Sequence, residues 1–132
     1  MKQNLVKGRV KMKAGKPLKK SYDYESDALM LYYAKDYEYD YSLELTDEVI
    51  VDFDTDGYPK AFEFLNASKL FNVDKINLKH IKNIEIKIKI TTKLIELSTL
   101  IVVGIHNKDT RTVLENSLVN EGNIPELDLA FV

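Results

Sequence analysis

Polar and apolar residues alternate with period two along most of the chain, the spacing of half-buried strands whose successive side chains point to opposite faces. Across residues 37–46 the alternation has no break. Tyr37, Tyr39, Tyr41, Leu43 and Leu45 fall on one face, and Glu38, Asp40, Ser42, Glu44 and Thr46 on the other. Residues 49–53 place Val49, Val51 and Phe53 inward, and residues 61–65 return with Phe62 and Phe64 on the matching face. Between them Asp54-Thr55-Asp56-Gly57 forms a hairpin loop, because an Asp-Gly pair tolerates positive φ. Upstream, residues 21–34 read as a strand bent at Ser26-Asp27, with Leu29, Leu31 and Tyr33 on one face. Together these segments predict one antiparallel meander of four strands.

The period then changes. Asn66 or Ser68 caps a helix that runs to about Lys82, with Leu70, Phe71, Leu78 and Ile81 as its buried positions. Asn72-Val73-Asp74 is a point where it breaks into two short helices, since Asp74 is itself a good N-cap. From Ile84 the period of two returns, with Ile84, Ile86, Ile88 and Ile90 on one face. Residues 94–105 read as a long apolar strand in which Gly104 marks a bulge. Residues 110–118 are ambiguous: Thr110, Thr112 and Val113 favour a strand, while Leu114 and Leu118 share a helical face. Leu127, Leu129 and Phe131 predict a last strand after a loop at residues 122–125. The expected class is α+β and β-rich: an antiparallel meander, a helical segment, then a second antiparallel strand set. All 132 residues are expected to form one domain.

Charge changes this picture, because the near-neutral total hides a split. Residues 1–20 carry eight basic residues and no acid, residues 21–69 carry thirteen acids against three Lys, and residues 70–132 carry eight of each. The acids of the middle block alternate with inward Tyr, Leu, Val and Phe, so they form one wet face of a sheet. The basic block reads as a solvated leader, or as an arm for phosphate. Within it Val6, Val10 and Met12 allow a short strand, and Met12 is a second candidate start. The absence of Cys removes disulfides, thiolate nucleophiles and zinc fingers. With only His80 and His106, a multi-histidine metal site is also removed. No apolar run reaches the ~18–20 residues of a membrane helix, and the N-terminus lacks the pattern of a secretory signal. The expected location is cytoplasmic. Lys far outnumbers Arg, and Ile, Lys and Glu are abundant, a usage seen in heat-adapted proteins.

Several constellations invite chemistry. Asp52, Asp54, Asp56, Gly57 and Glu63 have the spacing of a calcium loop of the EF-hand type. Such loops join helices, however, and here both flanks alternate as strands, so a plain hairpin explains the same residues. Asp23, Glu25, Asp27, Glu38, Asp40 and Glu44 offer carboxylate pairs without a basic or nucleophilic partner. Seven of the eight Tyr lie between residues 22 and 41. Tyrosines can stack bases, but the interleaved acids repel phosphate, so core or a protein-binding face is the better reading. No Gly-rich phosphate loop, serine elbow or His–Asp pairing is present. No catalytic, metal or cofactor-binding residue is assigned, and no cofactor is expected.

The segment Tyr22-Asp23-Tyr24-Glu25-Ser26-Asp27-Ala28-Leu29, followed by Val49-Ile50-Val51-Asp52-Phe53-Asp54, Asp56-Gly57 and Phe62-Glu63-Phe64-Leu65-Asn66-Ala67-Ser68, resembles domain of unknown function 2283. The resemblance covers residues 21–68. The second half is similar to a strand-rich extension carried by some archaeal members. The resemblance implies no catalytic residues, because the family has no established activity. Some members are reported beside genes for small toxin-like proteins, which implies a partner-binding, antitoxin-like role. The leading expectation is therefore a non-enzymatic module whose acidic face binds a basic protein. Alternatives are a metal-binding protein or metal-dependent enzyme using the acidic hairpin, and nucleic-acid binding through the basic arm, with nucleic acid the disfavoured partner. Exposed strand edges and apolar strands such as residues 100–105 point to a homodimer.

Overall fold

The alternating segments do become strands, and their apolar faces are buried against one another. The computed structural model describes residues 18–33 and 36–131. The first sheet contains β1 (Lys19–Asp23), β2 (Ala28–Tyr32), β3 (Tyr39–Thr46), β4 (Val49–Asp54) and β5 (Pro59–Phe64). Two short helices come next, α1 (Ala67–Leu70) and α2 (Lys75–Leu78). The second sheet contains β6 (Ile81–Ile90), β7 (Leu94–Ile105), β8 (Lys108–Val119) and β9 (Leu127–Phe131). Strand order is β1-β2-β5-β4-β3 in the first sheet and β8-β7-β6-β9 in the second, and every neighbouring pair is antiparallel.

The inner faces are those the period of two selects. Leu29 and Leu31 of β2, Val49, Val51 and Phe53 of β4, and Phe62 and Phe64 of β5 are fully buried. They share one hydrophobic cluster with Ile86, Ile88 and Ile90 of β6 and with Leu127, Leu129 and Phe131 of β9. The two layers meet where the Phe62 ring packs edge-on against Phe131, centroids 5.8 Å apart. Tyr33 approaches the same Phe131 ring. Residues 100–103 are buried on both faces of the second sheet, which explains an apolar run without alternation.

Several expectations need correction. Residues 21–34 are two strands joined by a turn, because Asp27 takes a left-handed conformation (φ 57) and reverses the chain. The first sheet is therefore five-stranded, and β2 joins it beside β5, outside the β3-β4-β5 meander. The alternation of residues 37–46 holds from Tyr41 to Thr46, with Tyr41, Leu43 and Leu45 inward, but fails at Tyr39, on the far side of a register shift between Tyr39 and Tyr41. As a result Tyr39 is 56% exposed rather than inward. The helical segment is the broken version: Asp74 stands at the N-cap position of α2 without a side-chain capping bond, α2 ends at Leu78, and Ile81 and Lys82 belong to β6. Among the described residues there are two four-residue helices, so this part of the chain is β-rich and its helical share is smaller than the α+β expectation implied.

Gly104 is not a bulge, since β7 pairs with β8 without a shift. The irregularity lies opposite, on β6 between Ile81 and Asn83. There the Lys82 side chain crosses Gly104, and a Cβ at Gly104 would sit 3.0 Å from Lys82 Cε. Residues 110–118 resolve as strand, because His106 and Asn107 both take positive φ (51 and 62) and close a tight hairpin from β7 into β8. The expected strand within residues 1–17 lies outside the described residues. Lys19 and Lys20 are described, and they open β1.

Candidate functional site

The acids of the middle block were the strongest sequence signal, and register decides where they go. Two cross-strand rows cover the outer face of the first sheet. One runs Ser21, Met30, Glu63, Ile50, Glu44, and the other Lys19, Tyr32, Ala61, Asp52, Ser42. Met30, Tyr32, Ile50, Asp52 and Glu63 are half-buried, while Glu44 is exposed. The face is therefore amphipathic: an apolar centre with carboxylates beside it, and Lys19 at the β1 edge.

At one end of this face hydroxyls surround Asp52. Ser42 Oγ donates to Asp52 Oδ1 at 2.6 Å, and Tyr39 Oη lies 2.7 Å from Ser42 Oγ. Burial, and then the charge of Asp52, push the Tyr37 phenol up. Tyr37 thus stays protonated at neutral pH and serves as a donor beside the Asp52 carboxylate.

The calcium-type spacing does not converge. Asp54 is buried and turned into its own loop, where Oδ1 accepts from the backbone N–H of Asp56 and of Tyr58, each at 2.9 Å. Its other oxygen faces Lys60 Nζ at 3.7 Å. Asp52 and Glu63 occupy different rows of the outer face, and Asp56 is exposed in the hairpin. Among the described residues, no group of three or more His, Asp or Glu side chains gathers to hold a metal ion. The loop is closed by the Asp54 carboxylate on the N–H groups of Asp56 and Tyr58 and by Gly57 at φ 86.

Asp27 has a different role from the other acids. Its carboxylate accepts from Tyr22 Oη at 2.6 Å, Ser68 N at 3.0 Å and Ser68 Oγ at 2.7 Å. Its carbonyl accepts from Ala67 N at 2.9 Å. Burial alone would raise this carboxyl, but the hydrogen bonds from Tyr22 and Ser68 outweigh it and hold the group below the usual carboxylate range. Burial and the same Asp27 contact push the Tyr22 phenol far above its ordinary value. The turn after β1 is thereby pinned to the start of α1. The polar residues of the opening motif satisfy those at its end, so they hold the fold rather than offer a reactive group.

The tyrosines also disperse. Tyr41 stacks on Phe53 at 5.0 Å, Tyr33 meets Phe131 and Lys60, and Tyr24 lies under Lys75 and Lys79. They form no continuous stacking platform. His80 is an exposed turn residue after α2, and His106 is exposed in the β7–β8 hairpin.

Two concavities were not foreseen. A groove of about 450 Å³ crosses the outer face of the second sheet, lined by Lys87, Lys89, Glu96, Ser98, Glu115 and Asp128 among others. The outward positions of β6, β7 and β9 carried that signal as alternating charges. A smaller pocket of about 170 Å³ lies between Tyr33, Tyr58, Pro59, Lys60, Leu129 and Phe131. It brings together residues from opposite ends of the chain, which no local pattern announces. No described helix is long and apolar enough to cross a membrane.

A family described as "Protein of unknown function (DUF2283)" matches residues 19–68. An uncharacterized protein of Methanocaldococcus jannaschii is 45% identical over 84 residues, covering 61% of this chain and 69% of that protein. A Methanosarcina mazei protein named "Putative hypoxanthine phosphoribosyltransferase" is 33% identical over 107 residues, covering 81% of this chain and 85% of that protein. No solved structure matches. The matched residues are the first sheet together with the Asp27–Ser68 pin that closes it, and the chain belongs to the DUF2283 family of proteins of unknown function.

Proposed function

We propose that the protein is a non-enzymatic interaction module whose outer first-sheet face takes a small basic protein, as an antitoxin takes its partner. The observation that carries this reading is the composition of the two cross-strand rows: half-buried Met30, Tyr32 and Ile50 set between Glu44, Asp52 and Glu63. Apolar and aromatic side chains at the centre of a patch supply contact area, and charges around them steer and orient an oppositely charged partner. The excess of ten acids in residues 21–69 gives that steering its sign. The transferase name of the Methanosarcina mazei relative is not carried into this reading. Among the described residues every strand pair is antiparallel, and neither short helix is preceded by a Gly-rich loop that would cradle a phosphate.

The test is a pull-down from native extract with the chain and with a triple charge reversal, Glu44→Lys, Asp52→Lys and Glu63→Lys, at low and high salt. The expected result is a basic protein held by the unmodified chain at low salt, released at high salt and absent from the reversed variant. No retained protein at either salt, or equal capture by both chains, overturns the reading.

A further inference from the structure

The four sheet edges are not equally protected. β1 and β9 are five residues long, and β3 carries two register shifts. Short edges and bulges are the usual ways of blunting an edge against further pairing. β8 has neither. It runs twelve residues, contains no Pro, and keeps an unbroken register with β7 from end to end. No strand is hydrogen-bonded to its other side among the described residues, although β3 of the first sheet approaches it. Val113 and Val119 on this strand are 56% and 58% exposed. Arg111 and Glu115 are exposed, and neither side chain takes part in a hydrogen bond or ion pair among the described residues.

The charges along β8 select one partner and one register. Two copies of an edge strand that pair antiparallel about a two-fold axis place one residue opposite itself, and the others pair symmetrically around it. An axis through Arg111 or Glu115 sets like charges face to face. An axis through Thr112 sets Asp109 against Glu115 twice, and one through Leu114 leaves Arg111 opposite Ser117. An axis through Thr110 pairs Asp109 with Arg111 but overlaps only residues 108–112. An axis through Val113 overlaps residues 108–118, sets Val113 against Val113, and places Arg111 opposite Glu115 on both sides. Directly opposed side chains of unlike charge stabilise a strand pair, and like charges destabilise it.

We propose that β8 pairs antiparallel with β8 of a second copy of this chain about an axis through Val113, which joins two four-stranded sheets into one of eight strands. This interface lies on a different sheet from the acidic face and stands independently of it.

Sedimentation or light scattering of the full chain over a dilution series gives the mass. The expected mass is that of a dimer. Arg111→Glu and Glu115→Arg, made singly, shift it to the monomer, and the double swap restores the dimer. The chain has no Cys, so Val113→Cys gives a second, independent readout. Mild oxidation is expected to cross-link it to a covalent dimer, whereas Val119→Cys does not cross-link, because the two copies of residue 119 lie about 40 Å apart at ~3.3 Å per residue. A monomer at every concentration overturns the proposal. So does a dimer that survives both single reversals, or equal cross-linking of the two cysteine variants. If the single reversals fail to fold by circular dichroism, the cysteine pair decides alone.

Discussion

Replacing Asp27 tests whether the family motif is structural. The carboxylate accepts three hydrogen bonds, from Tyr22 Oη, Ser68 N and Ser68 Oγ, at a position only 9% exposed. A hydrogen bond to a charged group is worth about 1.5–3 kcal/mol, but bonds sharing one acceptor do not add. Asp27→Ala removes all three and puts Ala at φ 57, where a non-glycine residue without a local side-chain acceptor costs roughly 1–2 kcal/mol. The expected loss is about 3–4 kcal/mol. Asp27→Asn keeps an acceptor and a residue that tolerates the left-handed region, so its expected loss is about 1–2 kcal/mol. The pH dependence gives a second readout. The folded carboxyl titrates below its unfolded value, near 3.9 in a free chain. The stabilisation is therefore complete above that value and fades as pH falls through the folded one. Urea unfolding at neutral pH and below about pH 4 should show the Asn variant converging on the unmodified chain in acid. An Ala variant within about 0.5 kcal/mol of the unmodified protein, or an unchanged pH profile in the Asn variant, would refute the argument.

Three further outcomes are expected. Phe62→Ala and Phe131→Ala should each cost about 3–5 kcal/mol in denaturant unfolding, and the double-mutant cycle should return a coupling of about 0.5–1.5 kcal/mol for their edge-on contact. Additive single effects would mean that the two sheets do not meet there. Gly57→Ala, at φ 86, should cost about 1–2 kcal/mol. Gly104→Ala should cost less, because its Cβ meets only the flexible end of Lys82, and thermal melts rank the two. Asn120→Ala should cost about 2–3 kcal/mol by the same assay, since its buried amide bonds Thr91 O, Ile124 O and Ile124 N.

How much of this was legible in the sequence depended on the range of the interaction. The inward sets of β4, β5, β6 and β9 derive from side-chain alternation, a property of each strand alone. The hairpin at Gly57 and the break at Asp74 derive from local backbone chemistry in the same way. What failed was set elsewhere in the chain. Asp27 looked like one more surface acid, because its partner Ser68 lies forty-one positions away. Tyr39 looked inward because a register shift against β4 leaves no trace in the spacing of β3 itself. Gly104 suggested a bulge in its own strand, whereas the displaced residue is Lys82 on the neighbour. The ambiguity of residues 110–118 was settled by the two-residue turn before them. The candidate site shows the same division: the sign of the outer face was readable, but which apolar residues share it required the strand order.

The core shared by the two sheets has a consequence for the family segment. The family segment, residues 19–68, builds the first sheet and pins its own ends together through Asp27 and Ser68. Its inner face, made of Leu29, Leu31, Val49, Val51, Phe62 and Phe64, is nonetheless covered, among the described residues, chiefly by those of the second sheet. A chain that ended near Ser68 would leave that face in water, an apolar area that soluble monomers do not tolerate. In this chain the second sheet supplies that cover, so the family segment depends for its core on strands that lie outside it. The second sheet is thus the lid on this base, and Ser68, where the base is closed, is the point along the chain at which base and lid meet.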